Sequence, residues 1–459
     1  MIGNDHLKHM NVPLPEEIAS AAAVGDLSLT QTLIDGWLRR DIPQALRMRL
    51  ETERLFQERL RQEYTLTEDS LLSSMAELVP DFTPDDLQAL LIDGWLDTRL
   101  IDGTRHFMDD VPASLVKANP DIARRAGKPL VPEDKLLDGF ITRVKAQRQA
   151  VLALHMKASL RVREEAFVPG TLYRAHLPLP KPAAQQRDVQ IIDCSPVPKH
   201  IARESAPQRT AYFEETLATN APFSAEYAYT WRCVYADPTD GKPFIVYPDA
   251  APPTGDDLKE HLPHIAFTPY LKALAAELKG DEIIPMRIAK RYYDFITSHV
   301  RYAYVRPYQL IDNGAEYAAV NLRGDCGLQA LLFIALCRIS GIPARWESGL
   351  IARPGHVGCH DWAQFYTESW GWLPVDCSFG GAAYRKGSPE RRRYYFGNID
   401  PWRMAANSGY MMPFQPPKRH LRADPYDNQR GEVETDEKGL TSSSFRASWE
   451  MLGCDFVLP

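Results

Sequence analysis

The chain predicts an α+β protein in three parts: a helical N-terminal region (residues 1–160), a β-sandwich-like domain (161–250) and an α+β core (258–459). Three observations carry this. Apolar residues recur at three-to-four spacing up to about residue 160, then alternate with period two to about residue 238. After a proline-rich break the helical spacing returns and leads into a second set of short alternating segments. A length of 459 residues exceeds one ordinary core, so two or three domains are expected.

In the first part, "LRMRLETERLFQERLRQEY" (Leu46–Tyr64) and "KLLDGFITRVKAQRQAVLALHMKASL" (Lys135–Leu160) carry helical periodicity. An internal echo accompanies them: "TLIDGWLRRDIP" (Thr32–Pro43) returns as "LLIDGWLDTRLI" (Leu90–Ile101), the second copy following the helix-start signal "TPDD" (Thr83–Asp86). Two copies are too few for a solenoid, so a duplicated helical hairpin is expected, with Trp37 and Trp95 in a shared core rather than in a peptide groove.

The second part is marked by "TLYRAHLPLPKPAAQQRDVQIIDCSP" and "FSAEYAYTWRCVYADP", which alternate, are rich in Tyr, Val and Ile, and are broken by Pro. The linker "PDAAPPTGDD" (Pro248–Asp257) ends it. Two amphipathic helices, "FTPYLKALAAELKG" and "IPMRIAKRYYDFITSHVRY", then open the third part.

Composition narrows the function. Hydrophobic residues make up 44% of the chain and charged ones 25%, as in soluble globular proteins. A net charge of -7 gives no field suited to a polyanion, so nucleic acid is not expected as a partner. The opening "MIGNDHLKHMNVPLPEEIAS" has neither the apolar stretch of a secretory signal nor a run able to cross a bilayer. A cytoplasmic protein with no membrane partner is therefore expected. Seven cysteines without a CxxC pair read as free thiols in a reducing compartment, and the reactivity of one of them becomes a question.

Cys326 is the candidate. In "NLRGDCGLQALLFIALCRISGIPAR" (Asn321–Arg345), Gly324 permits a turn, Asp325 is a good N-cap, and Gly341 with Pro343 stops a helix that is apolar on every face. A thiol in the first turn meets the positive end of the helix dipole and unpaired N–H groups that favour thiolate or hold an oxyanion, although Asp325 opposes ionisation. Downstream, "HDWAQFY" and "GWLPVD" flank a turn-like "TESWG" (Thr367–Gly371), a β-hairpin signal. Its registers put His360 and Asp376 on one sheet face, opposite or diagonal. Asp376 would then fix the imidazole tautomer while His360 takes the proton of Cys326.

These three segments resemble the transglutaminase-like superfamily of cysteine enzymes: a cysteine at a helix start, "GIPAR" after that helix, then "H.W...Y" and "GW.PVD" on successive strands. The likeness covers about Phe267–Phe379 and implies a papain-like α+β core. It also implies Cys326 as nucleophile, His360 as base and Asp376 as orienting acid. The reaction implied is acyl transfer from a peptide or protein amide substrate through a thioester, with no cofactor and no metal. Hydrolysis is expected before cross-linking by an amine, because water is always present; a catalytically silent peptide-binding or assembly module is the alternative from another class. Family members complete the oxyanion hole with an upstream side chain, for which Asn321, Gln309 or a tyrosine are candidates.

Competing readings of single residues follow from the pattern. His356 reads as a loop residue or substrate contact, and Cys359 and Cys377 as small buried side chains turned away from the base and acid. Cys326, Cys359, His360 and Cys377 lack the close pairing of a structural zinc site, and no calcium-loop spacing occurs. Trp362, Trp370, Trp372 and Trp402 read as core around the hairpin, and Arg391–Arg393 as a solvated face.

Overall fold

Arg148 adopts a left-handed backbone (φ 66°) and ends the helix Lys135–Gln147. The next residue, Gln149, begins a 14-residue strand that runs to Val162, where helix was expected. In the computed structural model, which describes residues 3–128 and 134–457, Ala150, Leu152, Leu154, Met156, Ala158, Leu160 and Val162 are all buried, and this is a period of two. Leu, Ala, Met and Lys are good helix formers, so propensity hid the alternation.

That strand is central to the first sheet of a two-sheet sandwich. The sheet runs in the order Phe445–Val457, Gln149–Val162, Phe223–Val234, Gln186–Ser195. The second sheet runs Glu432–Glu434, Thr171–Pro178, Thr210–Leu217, His200–Ile201. The β-domain therefore starts near residue 149 and takes two strands from the C-terminal end. The expected boundaries at 160 and 250 are corrected accordingly: the core lies between two strands of the sandwich.

The core sheet is antiparallel, in the order Gly371–Val375, His356–Thr367, Ala344–Arg353, Arg403–Asn407. Alternation splits its faces. Ala363 and Phe365 meet the central helix Cys326–Ile339, with the rings of Phe333 and Phe365 5.7 Å apart, whereas Trp362 packs on Trp231 of the sandwich at 6.4 Å. The central helix is buried from Gly327 to Arg338, because helices Pro269–Lys279, Pro285–His299 and Gly314–Asn321 cover its other sides.

The two LIDGWL copies fold differently. The first lies wholly inside helix Leu27–Leu38; in the second the helix ends at Ile92, and Gly94 takes a positive φ of 70°. Trp37 and Trp95 border different apolar clusters, so the shared core is not formed. The second copy instead serves the core: buried Asp97 forms a two-pronged ion pair with Arg306 (3.0 Å to each oxygen), while the carbonyls of Gly94 and Leu96 accept from Arg323. Arg391, Arg392 and Arg393 are likewise ion-paired, to Asp138, Asp294 and Asp237, and fasten the helical region and sandwich loop to the core. The four tryptophans around the hairpin are all buried. Among the described residues no helix is long and apolar enough to cross a membrane.

Candidate functional site

The central helix begins at Cys326, and Asp325 caps it, accepting from the Leu328 N–H (3.0 Å). Tyr308 donates its hydroxyl to the same carboxylate oxygen at 2.6 Å. The tyrosine gets this close because residue 327 is glycine: a Cβ there would lie 2.0 Å from the Tyr308 oxygen and 2.9 Å from Asp361 Oδ2.

Cys326 opens on a cavity of about 610 Å³ walled by Tyr302, Tyr308, Gln309, Trp346, Cys359 and the loop 423–432. Its thiol donates to Asp361 Oδ2 at 3.2 Å. Burial pushes this thiol well above its usual range, and the Asp361 and Asp325 carboxylates push it further. Asp361 is itself raised well above the ordinary carboxylate range, first by burial and then by Asp427 and Asp325. Asp427 is anchored by Ser348 (2.5 Å) and Asn407 (3.0 Å). The resting cysteine is thus a neutral thiol among carboxyl groups.

His360, the preceding strand residue, points the other way, stacks with Trp362 and packs against the tilted ring of Phe379, at centroid distances of 6.2 and 4.7 Å. Its Nε2 meets Asp376 Oδ2 at 2.7 Å. The hairpin register extends to the diagonal relation between these two residues, since Ala363 pairs with Val375 and Thr367 with Gly371. Asp376 also caps helix Cys377–Arg385 through the Phe379 N–H (2.9 Å), and Arg403, fully buried, sits 3.1 Å away. Burial would raise Asp376, but His360 and Arg403 outweigh it and bring the carboxyl down to about 2. Burial lowers the His360 pKa against the opposing pull of Asp376, so its imidazole is neutral near pH 7.

The expected residues therefore form two neighbouring groups: His360 with Asp376, and Cys326 with Asp361. Among the described residues no hydrogen bond joins Cys326 to His360, and His360 Nδ1 has no hydrogen-bond partner. Gln429 ties the groups together, donating to the His360 carbonyl (2.8 Å) and to Asp361 Oδ1 (2.6 Å). Of the oxyanion-hole candidates, Gln309 and Tyr308 line the Cys326 cavity, whereas Asn321 lines a separate cavity of about 810 Å³. Cys359 also lines the Cys326 cavity and is half-buried rather than filler, with burial raising its thiol to about 11; Cys377 is buried in the helical-side core. Sequence reasoning passed over Asp361, Asp427 and Gln429. The signals available were the "HD" pair, where alternation sends one of two neighbours to the helix, and the polar "DNQ" of the loop.

A cysteine thus starts a buried helix that is backed by an antiparallel sheet carrying a His–Asp pair. Residues 272–377, less than half of the chain, match the Transglutaminase-like superfamily, and the fold is α+β with a transglutaminase-like core. Among solved structures it is similar to a candidate cysteine protease from Cytophaga hutchinsonii (17% identity over 67% of this chain and 93% of that one, TM-score 0.42). It is also similar to the periplasmic domain of TgpA from Pseudomonas aeruginosa (15% identity, 56% and 96% covered, TM-score 0.29). No curated protein matches the chain.

Proposed function

We propose that the chain is a cysteine-dependent hydrolase of amide or peptide bonds, with Cys326 as nucleophile, His360 as base and Asp376 as the group that orients it. The carrying observation is the position of Cys326 in the first turn of a buried helix, at the wall of a cavity, with its thiol on Asp361, the strand neighbour of the buried His360–Asp376 pair. Asp376 occupies Nε2, which leaves Nδ1 to receive a proton.

The chemistry is general-base catalysis rather than attack by a preformed ion pair, because the resting thiol and imidazole are both neutral. Because His360 lies on the other face of the strand from Asp361, the reaction requires Cys326 to leave Asp361 and His360 to be brought within reach of it; the thiol proton then passes to His360 Nδ1 as sulfur bonds to the carbonyl carbon. Collapse breaks the C–N bond as His360 protonates the leaving amine and leaves a thioester. Water then attacks with His360 again taking a proton, which releases the acid and restores the thiol. Gln309, whose side chain makes no hydrogen bond among the described residues, is the candidate oxyanion donor.

Two further readings are separated by the same assay. An amine in place of water would make the protein a cross-linking acyltransferase. A silent peptide-binding module is favoured by one observation, the thiol held on Asp361 rather than His360. Amide substrates incubated in ¹⁸O water with a fluorescent primary amine distinguish all three. Hydrolysis puts ¹⁸O in the product acid, with turnover lost in Cys326→Ala and reduced about 10²–10⁴-fold in His360→Ala. Amine incorporation supports transfer. Turnover unchanged in Cys326→Ala overturns Cys326 as the nucleophile, and none with any substrate overturns the enzyme reading.

A further inference from the structure

The wall around Cys326 is dominated by acid. It carries the carboxyl groups of Glu63, Asp109, Asp110, Asp325, Asp361 and Asp427. The cations in the same wall are Lys117, Arg306 and Arg430, and Arg306 is committed to Asp97. Like charges crowded into one cleft repel each other unless a cation joins them. Burial, with Asp109 and Glu63 adding to it, raises Asp110 to about 6.

Two observations independent of this acidity point to what the cleft takes. One is Lys117, at the end of helix Val111–Ala118: its ammonium lies over the rings of Tyr302 and Tyr304, 4.6 and 4.8 Å from their centroids, and 3.4 Å from each hydroxyl. Part of the cleft wall thus already accommodates an alkyl cation on aromatic faces. The other is a pair of buried amides in the same wall, Gln309 (3% exposed) and Asn428 (2% exposed), whose carbonyl oxygens have no hydrogen-bond partner, nor has the Asn428 amide nitrogen. An N–H donor with several protons would satisfy the two oxygens. A metal ion is a poor fit, since among the described residues no three His, Cys, Asp or Glu side chains converge to hold one.

We propose that the cleft selects acyl donors carrying a basic side chain, arginine above all, beside the amide that Cys326 attacks. This rests on the acyl-transfer reading but not on turnover for its test. Guanidinium suits the site because its flat fork can meet a carboxylate and two amide oxygens at once while stacking on tyrosine. The helical region contributes Glu63, Asp109, Asp110 and Lys117, so it is a specificity wall rather than a spectator.

The test is binding by the inert Cys326→Ala chain, read by fluorescence anisotropy. A labelled Gly-Gly-Arg-Gly-Gly peptide is compared with the same peptide carrying citrulline, the uncharged isostere. The arginine peptide is expected to bind about tenfold more tightly at low salt, and Asp109→Asn with Asp110→Asn to bring the two within about twofold. Lys117→Met, which removes the resident ammonium without touching the carboxylates, should tighten arginine binding. Equal binding of the two peptides, or an arginine preference untouched by the carboxylate variants, overturns the proposal. Because Cys326→Ala performs no chemistry, either result leaves the hydrolase reading to be judged separately.

Discussion

Asp361→Asn removes one charge next to Cys326 while conserving shape. At 3.2 Å, two unit charges repel by about 5 kcal/mol at an effective dielectric of about 20, and by about 1.3 kcal/mol in water. Cys326 is half-buried and opens on the cavity, so solvent screens the repulsion, which favours the lower figure. We therefore expect the substitution to move the midpoint of the Cys326 titration down by about one to two pH units. The assay is iodoacetamide labelling of Cys326 between pH 5 and 11, quantified on its peptide by mass spectrometry, in wild type, Asp361→Asn and His360→Ala. Wild type should label slowly at neutral pH, Asp361→Asn faster, and His360→Ala like wild type, since no hydrogen bond joins it to the thiol. An unchanged midpoint in Asp361→Asn would refute the electrostatic argument. A wild-type midpoint well below about 8.5 that is lost with His360 would show an ion pair and refute the neutral resting state.

Other outcomes follow from the same geometry. Gly327→Ala drives a methyl group into the Tyr308 hydroxyl; we expect turnover to fall at least about tenfold with a fold still visible by circular dichroism. The Asp376 carboxyl is lowered in the folded chain, so its stabilisation is complete above the unfolded value near 4 and is lost as pH falls through about 2. That contribution is about 2–3 kcal/mol, and denaturation of wild type against Asp376→Asn should show their stability difference shrinking from pH 5 to pH 2. Asp97→Ala strands Arg306 in a buried site and should cost about 3–5 kcal/mol in denaturant melts, because breaking one side of a buried pair leaves a charge uncompensated.

The helix at Cys326 was legible because several local rules agreed: an Asp cap, an all-apolar body and a glycine stop predict Cys326–Ile339 to the residue at its start. The hairpin was legible for the same reason, its turn falling between Thr367 and Gly371. What escaped depended on distant contacts. Residues 149–162 contain helix formers and become strand because two partner strands claim their edges. The second LIDGWL copy departs from the first because Asp97 is drawn to Arg306 and Arg323. Asp361 was invisible as a neighbour of Cys326 because the sequence indicates which strand residues share a face, and not which face the thiol approaches. The loop 423–432 carries Asp427, Asn428 and Gln429 into the cavity from far along the chain, and no periodicity announces a loop's destination.

The strand Phe445–Val457 lies beside Gln149–Val162, and the entire core is threaded between them in sequence. During synthesis at roughly 5–20 residues per second, the earlier strand waits tens of seconds for this neighbour. The core can gather its own helices and sheet in that interval, but the sandwich packed behind His360 and Trp362 closes only when the last strand arrives. Maturation of the site is thereby timed by the far end of the chain, and a nascent protein truncated before residue 445 would carry Cys326 without a finished wall behind the sheet that supports it.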